Sequence, residues 1–107
     1  MDKIHHIHDE IEYLSINSKG LTFEKFIQDE TLKRAFVRSL EIIGEAVKLI
    51  PNQVLERYNQ IEWKKIAGMR DKLIHRYFGI DYELVWDVIE NHIPKLKEVM
   101  DIIVNGP

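Results

Sequence analysis

Between positions 70 and 77 the chain places Arg70, Asp71, His75 and Tyr77, side chains that could work together on one chemical task. A guanidinium is a permanent planar cation that grips anions, and an imidazole gains and loses a proton near neutral pH. Anion binding beside a proton transfer is the chemistry such a set suits. If residues 61–77 form one helix advancing about 100° per residue, Arg70 falls in the middle of an apolar arc made by Ile66, Ala67, Leu73, Ile74 and Tyr77. A buried guanidinium is costly unless it is paired or opens onto a cleft or a partner. Arg70 is therefore either a structural residue, snorkelling to solvent or paired with a carboxylate from a neighbouring helix, or part of a functional site. Residues that break a local pattern concentrate at such sites.

His75 is less easily placed. On an ideal helix it projects about 140° away from Arg70, so the two would not reach one small ligand unaided. Either the pair is completed across a symmetric dimer, which we prefer, or the helix is distorted near its end. Asp71 lies one turn before His75 and could orient His75 or Arg70. Tyr77 is seven residues from Arg70, on the same face.

The elements that must position these residues read as helices. Ile4, Ile7, Ile11 and Leu14 recur at spacings of three and four and lay one stripe on a first helix that ends around Ser18–Gly20. A short segment, 22–28, precedes a helix that Asp29 can cap and Pro51 stops, with Leu32, Phe36, Ile43, Val47 and Ile50 on one arc. Residues 52–59 form a short helix or turn, followed by the helix of 61–77 that Gly79 ends. Asp81 caps a last helix to about Val104, which Pro94 should kink near Glu90 or Asn91. The expectation is a single all-α domain over 1–107: an antiparallel bundle of four main helices with one or two short helical segments.

The residues around the arginine carry a resemblance. The string MRDKLIHRY (69–77) has arginine, four residues, histidine, one residue, tyrosine. It resembles the motif of the HEPN superfamily, and specifically of its HepT-like toxins. RSLEIIGEAVKLIP (38–51), IEWKKIAGMRDKLIHRYFGID (61–81) and VWDVIENHIPKLKEVM (85–100) resemble that family's blocks in the same order, so the likeness covers essentially the whole chain. It implies a HEPN-like bundle and a metal-independent endoribonuclease that needs no cofactor. It also implies a homodimer with Arg70 and His75 as catalytic pair in a shared cleft. The tyrosine corresponding to Tyr77 is, in that family, the target of a minimal nucleotidyltransferase antitoxin that transfers AMP from ATP onto its hydroxyl. The other functional class the resemblance allows is a catalytically idle HEPN subunit that binds a nucleotidyltransferase or a nucleotide.

Composition narrows the remaining choices. The chain has no cysteine, which removes disulfides, thiolate metal sites and thiol nucleophiles. No phosphate-cradling glycine loop or serine nucleophile pattern is present. The sequence also lacks an apolar run long enough for a membrane span and a secretory h-region, so a cytoplasmic protein is expected. His5, His8, Asp9 and Glu12 could face one metal ion, but without a ligand from a second helix they read as a solvated face. Arg38, Glu41 and Glu45 share a polar face, read as exposed and salt-bridged, that could border a dimer cleft. Trp86 and His92 read as packing or surface residues.

Charge is distributed unevenly. The net charge is −3, yet Lys64, Lys65, Arg70, Lys72 and Arg76 stand against Glu62 and Asp71 in residues 60–77. That stretch carries +3 and the rest of the chain −6. Lys64, Lys65, Lys72 and Arg76 are therefore the candidate RNA-binding cations around the motif.

Overall fold

The computed structural model describes residues 2–75 and 79–106, the side chains of Asp2 and His75 excepted. Its elements in chain order are α1 (Asp2–Ser18), α2 (Phe23–Gln28), α3 (Glu30–Val47), α4 (Asn52–Arg57), α5 (Trp63–Ala67), α6 (Met69–Leu73), β1 (Ile74–His75), β2 (Gly79–Ile80), α7 (Tyr82–Asn91) and α8 (Ile93–Asn105). This is the expected all-α architecture, with a two-residue ladder added.

Local chemistry sets the helix starts. Thr22 Oγ1 accepts the Lys25 N–H at 3.2 Å, Asp29 accepts that of Leu32 at 2.9 Å, and Asp81 accepts that of Leu84 at 3.1 Å. Each satisfies an amide that the first helical turn leaves unpaired. Gly20, at φ 69°, supplies the left-handed residue of the turn after α1. The last helix is more than kinked: α7 ends at Asn91 and α8 begins at Ile93. Pro94 has no N–H to offer the Glu90 carbonyl, but it sits in the first turn of α8, where no intrahelical donor is needed.

α1 packs against α3 and α8. Ile7, Ile11 and Leu14 are completely buried along the predicted stripe, with Phe36, Leu40, Ile43, Leu96 and Met100 across from them in the same core. Phe26 of the short α2 is the hub of an aromatic group: its ring lies 5.4 Å from Phe36 and 5.3 Å from Trp86. Trp86 is thus a packing residue, half-buried against the core.

The expected helix over 61–77 is corrected by the structure. It is broken at Gly68 and ends at Leu73. Gly68 adopts φ −89° and ψ 6°, a conformation that closes α5 by donating its N–H to the Lys64 carbonyl at 3.0 Å. After Leu73 the backbone is extended, and Ile74 and His75 pair antiparallel with Ile80 and Gly79. The Leu73 carbonyl, left open by the helix end, accepts the Asp81 N–H at 2.8 Å. A β-branched residue at 74 and a glycine at φ 81° at 79 favour this ladder over another helical turn.

Candidate functional site

α6 is only five residues long, and Met69 and Leu73, one turn apart and both buried, anchor it to the core. This explains a second correction. Arg70 does not lie at the centre of a buried face; its side chain is 55% exposed. The break at Gly68 ends the helical phase that the expectation extended from Ile61. The phase of α6 is set instead by its own two anchors, which turn Arg70 outward.

The arginine is nevertheless held. Its Nε donates to Glu41 Oε2 of α3 at 2.9 Å, and Glu41 is the more buried partner, at 19%. The neighbouring-helix carboxylate required by the ion-pair reading is therefore Glu41. Because the bond uses Nε, the two terminal nitrogens of the guanidinium make no bond among the described residues. The terminal fork can donate paired hydrogen bonds to an anionic group. The Glu41 hydrogen bond and charge, followed by the charges of Asp71 and Glu45, raise the arginine pKa above its ordinary value, so the cation is permanent.

Glu41 and Glu45 lie with Arg38 on a groove of about 360 Å³ that also takes Lys3, His6 and Lys48, so the predicted polar face of α3 exists. Glu45 is exposed and bonds Lys48 at 3.0 Å. The close approach of α3 to the arginine's segment depends on Gly44. A Cβ there would stand 3.1 Å from the Ile66 carbonyl oxygen and 3.6 Å from that of Ala67. Gly44→Ala should push α5 from α3 by a few tenths of an ångström; an overpacking cost of about 1–3 kcal/mol, offset by the gain of about 1 kcal/mol for alanine over glycine inside a helix, leaves a net loss of up to about 2 kcal/mol. Denaturant titration measures it; a raised midpoint would show that the backbone yields without strain.

The structure brings only part of the predicted set together. Arg70 and Asp71 share α6, and Asp71 is exposed. His75 stands on β1, so the 140° separation expected on an ideal helix does not apply; a distorted helix end is what the backbone adopts. Arg76 and Tyr77 lie outside the described residues. Lys64 is exposed on a shallow groove beside α4. Lys65 and Lys72 line a different groove together with Lys95 of α8. Sequence reading missed Lys95, because only the tertiary fold brings α8 to the same groove as α5 and α6.

The histidines of α1 also need revision. His8 has the second-helix neighbour that was expected to be missing: its Nε2 is 2.9 Å from Asp101 of α8 and 3.7 Å from Glu12. Lys97 Nζ meets both carboxylates, at 3.0 Å from Glu12 and 2.8 Å from Asp101. An ammonium thus already occupies the cationic role among these groups, and they clamp α1 to α8. His5 and Asp9 are exposed. Hydrogen bonds from Lys97 and then His8 hold the Asp101 carboxyl below its usual pKa, and bonds to Asp101 and Glu12 raise that of Lys97. His92 is exposed, 3.7 Å from Asp87.

The profile of the family described as Ribonuclease HepT-like matches residues 7–103, nearly the full chain. The chain belongs to that family. Relatives of this HepT-like protein include one of Caldanaerobacter subterraneus subsp. tengcongensis, named as a candidate RNase, which is 52% identical over 94% of this chain and 90% of its own. A Methanocaldococcus jannaschii protein with the same kind of name is 47% identical over 80% of this chain and 72% of its own. The "Probable ribonuclease HepT" of Thermococcus cleftensis is 42% identical over 90% of this chain and 87% of its own. No solved structure matches. Among the described residues, no helix of this HepT-like chain is long and apolar enough to cross a membrane.

Proposed function

We propose that this HepT-like protein is a metal-independent endoribonuclease, the toxin of a toxin–antitoxin pair acting in the cytoplasm. Its site is a composite one in the cleft of a homodimer. The observation that carries the reading is the guanidinium of Arg70, anchored through Nε by Glu41 with its terminal nitrogens unbonded among the described residues, five residues before a histidine.

The chemistry follows from the substrate. RNA carries its own nucleophile, so the enzyme must take a proton from the 2′-OH as it attacks the adjacent phosphorus. It must also stabilise the added negative charge and return a proton to the departing 5′-oxygen. The bond formed is 2′-O–P, the bond broken is P–O5′, and the products are a 2′,3′-cyclic phosphate and a 5′-hydroxyl. His75 suits the proton transfers near neutral pH. Arg70 suits the phosphorane, because charge accumulates where its fork can donate. A base and an acid are both needed; the His75 imidazole that takes the 2′-OH proton can return it to the departing 5′-oxygen, and a two-fold dimer lets the His75 of one protomer serve the Arg70 of the other. Asp71, the residue after Arg70, is proposed to orient the pair.

The test is incubation of purified protein with total RNA in EDTA. Wild type should cleave, leaving cyclic phosphate ends, and Arg70→Ala and His75→Ala should not. Cleavage unchanged in both variants would end this assignment in favour of a non-catalytic HEPN subunit that partners a nucleotidyltransferase.

Tyr77 is proposed as the residue that a minimal nucleotidyltransferase antitoxin modifies with AMP. Each AMP adds a phosphate and bulk a few residues from the arginine that grips the RNA backbone, blocking it by charge and size. Tyr77→Phe should keep nuclease activity and escape neutralisation when the antitoxin and ATP are supplied. Neutralisation persisting without a modified residue, read by intact mass, would mean inhibition by binding alone.

A further inference from the structure

Arg70 uses one side of α6, and the opposite side has no part in that chemistry. Met69 and Lys72 there line a groove of about 350 Å³ between α5 and α6 on one wall and α7 and α8 on the other. Its floor is apolar, with Ile66, Met69, Leu84 and Val88, and its rim carries Lys65, Lys72 and Lys95. Two carboxylates share the rim and both are engaged. Glu62 bonds Lys65 at 3.2 Å, and Asp87 accepts from the Asn91 amide at 2.7 Å. Lys72 and Lys95 have no ion-pair partner among the described residues. A volume of this size falls in the range of small-ligand sites. Two free ammonium groups over an apolar trough suit a ligand that is anionic on one edge and flat and apolar on another.

We propose that this groove holds an unpaired nucleotide of the RNA flanking the cut, its base against Ile66, Met69 and Val88 and its phosphates on Lys72 and Lys95. The inference rests on the ribonuclease reading and adds a strand-binding subsite to it. Unstacked bases of single-stranded RNA seek a surface to cover, and a thioether such as that of Met69 packs well on an aromatic ring. The path is short: Arg70 and Lys72 are separated by about 3 Å of rise and half the circumference of a helix about 10 Å across. A strand crossing the exposed surface of α6 meets Arg70 on one side and the groove on the other, and passes the exposed Asp71 between them. The −3 of the whole chain hides this local excess of cations.

The experiment is fluorescence anisotropy with a short single-stranded 2′-O-methyl oligoribonucleotide, which binds but cannot be cut. Lys72→Gln/Lys95→Gln should raise Kd about tenfold and lower the magnitude of the log Kd against log salt slope by about 1.4, the value for two lost phosphate contacts on a single strand. An abasic oligonucleotide of the same length and charge should bind wild type at least about fivefold more weakly, because base packing is lost. A charge-matched control, Lys19→Gln/Lys25→Gln, removes two exposed cations away from the groove and should change Kd less than about twofold. Equal losses in both pairs, or no difference between the abasic and normal strands, would overturn the subsite. Wild-type cleavage of RNA in EDTA is read on the same preparation. Its failure strikes the ribonuclease reading alone, whereas an active wild type whose oligonucleotide affinity ignores Lys72 and Lys95 strikes the groove alone.

Discussion

A heterodimer made of one Arg70→Ala protomer and one His75→Ala protomer should recover about half of wild-type RNA cleavage, although each parent is nearly inert. The reason is geometric. If each site takes its arginine from one protomer and its histidine from the other, one site of the mixed dimer loses both groups and the other keeps both. If arginine and histidine of the same protomer act together, neither site is intact and nothing is recovered. The single variants themselves should lose at least about 10²-fold, since one removes phosphorane stabilisation and the other proton transfer. Co-expression with two affinity tags isolates the mixed dimer, and cleavage of a labelled RNA in EDTA reads the result. A mixed dimer as inactive as its parents would overturn the composite site. The backbone sharpens this test, because β1 turns the chain at His75 away from the helical path that Arg70 begins.

The largest effect on stability is expected from Phe26→Ala. Phe26 is completely buried, and its ring also meets Tyr82 at 6.3 Å and Phe23 at 6.5 Å. It is the one fully buried residue of α2, a helix of six residues whose own hydrogen bonds could not hold it in place. Removing the ring should cost about 3–5 kcal/mol. Against a typical total of about 5–15 kcal/mol, that leaves the domain marginal. Denaturant unfolding monitored by circular dichroism measures it; a loss below about 1 kcal/mol would show that the aromatic group closes over the gap. The consequence reaches the site, because α2 wedges against α3, and α3 carries Glu41.

The helices with sustained periodicity could be read directly. Ile7, Ile11 and Leu14 point inward as their spacing requires, and Asp29 and Asp81 cap where a short acceptor precedes an apolar stripe. The segment around Arg70 could not be read the same way. A wheel drawn from Ile61 assumes unbroken phase, and one glycine at position 68 removes that assumption. The apolar residues at 66, 67, 73 and 74 do lie at or near the core, but they do so on two helices and a strand. Arg70, counted among them by angle, is turned to solvent. The α1 histidines failed for the opposite reason: their spacing was visible, but Asp101 and Lys97 lie more than eighty residues away and reach them only through packing.

By itself the sequence determined the all-α class, the helix caps, the apolar stripes and the family to which the motif of Arg70 and His75 belongs. These are local properties, set by the side chains within one or two turns. Tertiary structure alone decided which carboxylate holds Arg70, which lysines share a groove and where the motif helix stops. Those outcomes depend on residues distant in the chain: Glu41 bonded to Arg70, Gly44 close to Ile66, Lys95 on the groove that Lys72 lines. Such contacts are fixed by the joint packing of several helices, a condition that no single helix's periodicity contains.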